Sequence, residues 1–422
     1  MGQPICLEDL VGVVNEVVQD TKVTDVHTHL YDPVFGDLLL WGFEELITYH
    51  YLIAETMRWV DLPYERYWQM SKAEQAKLIW ETLFVQNSPY SEACRGVLTT
   101  LQRLGLDVAR RDFESYQEYF RGRSLTEYVD QVFALANIKY AVMTNDPFNE
   151  AERKVWLETV ATGEAELDER FRAALRLDVL LNSWDVAWPR LQGWGYGVTE
   201  KLDDATISEV QRFLQEWIKI MEPVYMAVSL PYDFKLPEDS PRAKLIEACV
   251  LPVSREMNVP FAPMVGVRRQ INPHLQDAGD GVGKMDIGSI EYLCSNFPKN
   301  KFVVTLLSRE NQHELAVFAR KFRNLLPFGC WWFLNNPSLI HEITSMRLEL
   351  LGTSTILQHS DARVLDQLIY KWDHSRDIIA AVLVEKYADL MATGWVLTED
   401  EIRRDVEKLM GENLWDFLRR EL

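Results

Sequence analysis

Cysteine is scarce in this 422-residue chain: Cys6, Cys94, Cys249, Cys294 and Cys330 lie far apart, with no C-x-x-C pair among them. An odd, scattered set builds neither a disulfide framework nor a zinc ribbon, and it reads as reduced thiols in a cytoplasmic protein. Long apolar runs are missing as well. Nothing approaches the roughly 18 residues that a bilayer-spanning helix needs. The opening MGQPICLEDLVGVVNEVVQD has neither the basic nor the apolar stretch of a secretory signal. A myristoyl site would want Ser or Thr at position 6, where Cys6 stands. Positive charge is in deficit: 44 Lys and Arg face 64 Asp and Glu, a formal net charge of −20. Nucleic acid and anionic membranes both ask for a basic face, so neither is an expected partner. There is no repeat at a fixed period, no low-complexity tract and no Pro/Gly-rich linker to divide the chain into separate domains.

What the chain does have is apolar content, 47% of residues, enough for a large core. Short apolar runs recur, each followed by a helical stretch. Candidate strands are 23–29, 140–144, 173–178, 225–230, 261–267, 302–307, 328–334 and 355–360. The runs are β-branched or mixed apolar rather than alternating, as expected of strands buried on both faces of a parallel sheet. Between them lie amphipathic helical patterns such as Ile207–Ile218 and Gln312–Phe322. Eight strands separated by helices predict an α/β fold, a (β/α)8 TIM-type barrel, as one domain over 1–422. About a hundred residues separate the first run from the second, too many for an ordinary βα unit. The stretch 36–137 is therefore read as a helical insertion after strand 1, on the side where barrel enzymes build their sites. Residues 362–422 form a helical tail that includes a capping-box signature from Thr398 to Glu401.

Chemistry-bearing residues concentrate at the ends of these runs. In Asp25-Val26-His27-Thr28-His29, strand alternation sends His27 and His29 the same way, so they can share one metal. His359-Ser360-Asp361-Ala362-Arg363 follows the last run. First and last strands are neighbours in a closed barrel, so Asp361 can complete a site begun by the two histidines. Helix capping is the competing role for Asp361, and Arg363 could bind substrate oxygens at the rim. His50, flanked by Tyr49 and Tyr51, reads first as packing. Arg176 stands inside an apolar run and must pair or point into the barrel mouth. Trp331 and Trp332 are adjacent, so at most one should face the interior. His274, His313, His341 and His374 have no metal-like partners nearby and read as surface or helix residues.

Taken together, these residues resemble the uronate isomerase (glucuronate isomerase) family of the amidohydrolase superfamily, in its shorter bacterial branch. The matching pieces are Thr24–Leu30, His50-Tyr51-Leu52 with Ala54-Glu55, Ala174–Asp178, Cys330–Pro337 and His359–Arg363. The resemblance implies a metal-assisted aldose–ketose isomerase that interconverts D-glucuronate with D-fructuronate, and D-galacturonate with D-tagaturonate. It implies His27, His29 and Asp361 as ligands of one divalent ion, zinc as first choice, gripping the substrate's C6 carboxylate and C5 hydroxyl. Asp361 with the C5 oxygen would initiate transfer of the C2 proton to C1. Tyr51 would hydrogen-bond the C1 carbonyl oxygen and Arg363 the C2 and C3 hydroxyls, either passing a proton between oxygens of a cis-enediol. His50, Arg176 and Trp331 would complete the sugar pocket. One departure is Met264, where longer members of the family have His, which argues against a binuclear centre.

Physical chemistry agrees with those roles. A proton α to a carbonyl leaves only if the enediolate charge is stabilised, and a metal, an Arg and a Tyr hydroxyl are suitable groups. The expected partner is a small-molecule hexuronate, with self-association left open. Two other readings compete: a mononuclear hydrolase of the sugar-lactonase type on the same barrel, and a sugar-acid binding protein without turnover.

Overall fold

A computed structural model describes residues 4–422. Its centre is a curled parallel sheet. The strands are β1 (Val23–Asp25), β2 (Ile138–Asn145), β3 (Phe171–Arg176), β4 (Met226–Pro231), β5 (Phe261–Arg268), β6 (Gly281–Val282), β7 (Phe302–Leu306) and β8 (Leu325–Pro327). The hydrogen-bonded order is β1-β2-β3-β4-β5-β7-β8, every pair parallel, while the two-residue β6 lies antiparallel on β5. The mixed apolar runs form these strands because both faces are covered, and β5 and β7 are buried almost throughout.

Alternation divides the strand residues between two apolar layers. One set, with Val26, Val142, Ala174, Ala227, Ala262, Val303, Leu326 and Ile356, packs together inside the curl. The other set meets the surrounding helices in the main core. Leu414 and Phe417 of the last helix, Asn413–Arg419, join the inner layer and close it from one end. That helix is reached through Gly411, whose φ is +130° and where a Cβ would stand 2.5 Å from Thr24. Only glycine fits there.

Two predicted strands come out differently. In place of a strand over 328–334, β8 forms just ahead of it and Trp332–Leu334 makes a single 3-10 turn. The chain cannot stay extended, because Gly329 has φ +62° and Trp332 φ +48°. A Cβ on Gly329 would lie 1.7 Å from His359 Nδ1, so the turn is what admits that ring. This bend also sends both Trp331 and Trp332 into the inner layer, where simple alternation allowed one. The predicted last strand, 355–360, keeps only one ladder bridge, Phe328 with Ile356. The segment nevertheless bonds on both sides. Gly329 N donates to Ile356 O at 2.9 Å, Asp361 N to His27 O at 3.1 Å, and His29 N to Ala362 O at 2.7 Å. β1 is likewise shorter than its run, with residues 26–29 continuing beyond the ladder.

Between β1 and β2 the chain forms a succession of helices from Phe43–Ile47 to Leu125–Ala136. Lys72–Trp80 opens on a complete capping box, Ser71 with Glu74. The other capping box, Thr398 with Glu401, opens Glu399–Glu407. The predicted helices appear as Asp204–Met221 and Gln312–Ala319. No helix among the described residues is long and apolar enough to cross a membrane. All five cysteines are free thiols, and only Cys6 is exposed.

Candidate metal centre

His27 and His29 leave the end of β1 with ring centroids 5.3 Å apart and planes at 86°. Asp361 meets them from the segment after Ile356, its Oδ1 at 3.7 Å from His27 Nε2 and 3.3 Å from His29 Nε2. One donor atom from each of the three lies within 4.8 Å of the others. Two donors about 2.0–2.2 Å from one tetrahedral ion stand roughly 3.4 Å apart, so the two His–Asp separations suit shared coordination. The backbone bonds Asp361 N to His27 O and His29 N to Ala362 O fix this register. Asp361 caps no helix, since the next one begins at Gln367. Its φ of +53° is a left-handed conformation that Asp tolerates better than most residues, and it turns the carboxyl toward the histidines.

Electrostatics favour the neutral form of both imidazoles. Burial, with the nearby His29, pushes His27 down to about 3 against the opposing pull of Asp361. Burial holds His29 well below the ordinary histidine range too, helped by the charges of Arg363, Arg176 and Arg269. Both rings are therefore neutral at neutral pH, the state that offers a lone pair to a metal. Asp25, fully buried beneath them, accepts from Ser360 N at 3.0 Å and Trp372 Nε1 at 2.8 Å, tying β1 to the closing segment and to the long helix Gln367–Ala392. Burial still lifts its carboxyl to about 6.

The other candidate residues surround this triad. His50 and Tyr51 open the helix His50–Thr56, their rings 4.6 Å apart. Neither His50 Nε2 nor Tyr51 Oη has a hydrogen-bond partner although both are buried. Burial keeps the Tyr51 hydroxyl protonated, well above the usual tyrosine range, and keeps His50 neutral. Arg176, at the end of β3, is held by Asp178 through bonds of 2.8 and 3.2 Å. Arg363 follows Asp361 by two residues, its backbone N donating to Gln367 Oε1 at 2.9 Å. Trp331 is buried in the inner layer, and its neighbour Trp332 sits 5.8 Å from His50 with an unpartnered Nε1. Met264 is in the inner layer as well, and the metal-ligand group among the described residues stays at three.

Sequence reasoning passed over several neighbours. His359, wholly buried 5.5 Å from the His27 ring, has no partner on either nitrogen. Lys371 is buried in the helix Gln367–Ala392 with no ion pair among the described residues, and its charge acts on His50 and His359. Tyr225 Oη lies 3.0 Å from His27 Nδ1, and Thr144 Oγ1 3.0 Å from His29 Nδ1. A hydroxyl within an apolar strand carries no sequence signal that separates it from packing.

No protein-family model matches the chain, and no curated protein matches it by sequence. Solved structures do. A uronate isomerase from Bacillus halodurans C-125 superposes with a TM-score of 0.96 at 55% identity, over 99% of this chain and 98% of that one. A uronate isomerase from Thermotoga maritima gives a TM-score of 0.76 at 16% identity, covering 97% and 99%. A glucuronate isomerase from Caulobacter crescentus gives 0.75 at 15%, covering 98% and 94%. The two distant likenesses speak to the fold alone, while the first runs from end to end.

Proposed function

The chain belongs to the uronate isomerase family, and from that premise we propose that it interconverts D-glucuronate with D-fructuronate and D-galacturonate with D-tagaturonate, moving a proton between C2 and C1 through a cis-enediol. One observation carries the reading. Six of the seventeen buried side-chain polar atoms without partners among the described residues (His50 Nε2, Tyr51 Oη, Trp332 Nε1, both nitrogens of His359 and Asp361 Oδ1) belong to residues of, or around, the His27–His29–Asp361 triad. Unsatisfied groups cost about 1–3 kcal/mol each, so such a concentration suits a polyhydroxylated ligand that completes them.

The donor set of two neutral imidazoles and one carboxyl fits a single divalent ion, zinc by preference, which His27, His29 and Asp361 would hold. Bound there, it would act as a Lewis acid toward substrate oxygens. The chain's own residues supply the rest. Asp361 has one oxygen toward the histidines and a second to take the C2 proton and return it at C1. The protonated Tyr51 hydroxyl donates to the C1 oxygen as charge develops there. Arg363 holds the C2 and C3 hydroxyls through its guanidinium donors. Arg176, fixed by Asp178, binds sugar oxygens, with His50 and Trp331 bounding the pocket.

The same reading makes the curled sheet a (β/α)8 barrel within one domain over 1–422, with 36–137 an insertion and 362–422 a tail. The parallel strand order and the bonds joining residues 27–29 to 361–362 support it. The free thiols suit a cytoplasmic enzyme. A lactonase is disfavoured, because the relative sharing 55% of residues is an isomerase. Glucuronate deuterated at C2 tests the choice: the isomerase must break that bond and move or exchange the label, whereas hydrolysis leaves it in place.

A further inference from the structure

Both metal-facing histidines are gripped from behind in the same way. Tyr225 Oη is 2.7 Å from the carbonyl oxygen of Val26, the residue before His27. Thr144 Oγ1 is 3.0 Å from the carbonyl oxygen of Thr28, the residue before His29. A carbonyl oxygen has no proton to give, so at each contact the single hydroxyl proton must be the one shared. The hydroxyl oxygen is then left as an acceptor, and the ring nitrogen 3.0 Å away, His27 Nδ1 or His29 Nδ1, must be its donor. In a neutral imidazole only one nitrogen carries hydrogen. With Nδ1 committed, Nε2 is bare, and Nε2 is the atom that faces Asp361 on both rings.

We infer that Tyr225 and Thr144 are positioning residues that lock the tautomer and ring orientation of His27 and His29, and so set the affinity of the triad for its divalent ion. They come from different parts of the sheet: Thr144 lies in β2, and Tyr225 immediately precedes β4. Each contact orients a ring and also ties it to its own backbone, so the two imidazoles are held without a carboxylate behind either. A neutral hydroxyl gives orientation while leaving the ligands less basic than an aspartate would.

The inference rests on the metal-centre reading above. Its test is zinc affinity by chelator competition on the full chain, with turnover not needed as a readout. Tyr225→Phe and Thr144→Val should each bind zinc about 10–100-fold more weakly. Thr144→Ser, which keeps the hydroxyl, should stay within about threefold of the parent. The rise in melting temperature on adding zinc should shrink in the first two variants, while the metal-free melting temperature reports separately on folding. If Tyr225→Phe and Thr144→Val hold zinc as tightly as the parent while His27→Ala loses it, the positioning role is wrong and the metal centre stands. If His27→Ala also keeps full affinity, the metal-centre reading itself falls, and this inference with it.

Discussion

At the scale of single residues, the site was legible where chain geometry alone brings side chains together. His27 and His29 share a side because strands alternate, and Asp361 reaches them because its segment bonds to residues 27–29. Asp361→Asn keeps the shape and tolerates the same φ of +53°. It should lower kcat by at least about a hundredfold with the melting temperature of the metal-free protein held. Near-normal turnover, with metal content measured alongside, would take Asp361 out of the proton transfer. Lys371 was not legible, since a lysine in a helix reads as a solvated face, yet this one is buried with no ion pair among the described residues. Removing the charge with Lys371→Met should stabilise the fold by about 1–3 kcal/mol in urea titrations. It should also raise KM for the anionic sugar, because that ammonium acts on the His50 side of the pocket. Stability gained with KM unchanged would assign Lys371 no part in binding.

At the scale of elements, six of the eight apolar runs became strands at nearly the expected places, because burial on both faces is written into composition. The last two did not, for a reason that composition does not encode. Gly329 and Trp332 take left-handed conformations that a string of apolar residues gives no hint of, and the chain bends where the pattern reads as straight. Glu152 shows the same limit on a helix. Its five-residue element, Glu150–Lys154, looks solvated, but the side chain is buried and tied to Tyr31 Oη at 2.9 Å and Asp146 N at 2.9 Å. Burial pushes its carboxyl up to about 7. The folded pKa thus lies above the unfolded one near 4.5, so the folded state binds the extra proton. Its contribution to stability is complete below about pH 4.5 and is lost as pH rises through about 7. The loss is of the order of 3 kcal/mol. Glu152→Gln imitates the protonated form, and its unfolding free energy should be flatter between pH 5 and 8 than that of the parent. Equal slopes in the two proteins would remove Glu152 from the titration.

At the scale of the whole molecule, the charge balance sets a problem that the site has to solve. A chain at −20 repels a uronate at long range. Close in, the cations that depress His29, namely Arg363, Arg176 and Arg269, supply local positive charge, although Arg176 and Arg269 are paired with Asp178 and Asp280. Salt separates these two distances. The Debye length falls from roughly 30 Å at 0.01 M to about 8 Å at 0.15 M, which screens the distant acidic surface while largely sparing buried contacts. Encounter with substrate should therefore become easier as salt is added. For glucuronate, kcat/KM should rise about two- to threefold over that range, with kcat nearly unchanged, because only the approach is being relieved. A fall in kcat/KM would mean that the cationic cluster's field reaches beyond the mouth of the pocket and outweighs the acidic exterior, so that the protein attracts its anionic substrate despite its net charge. Charge-reversing an exposed acid such as Glu158, which is none of the proposed pocket residues, should flatten the salt dependence only if the acidic surface is the source of the repulsion.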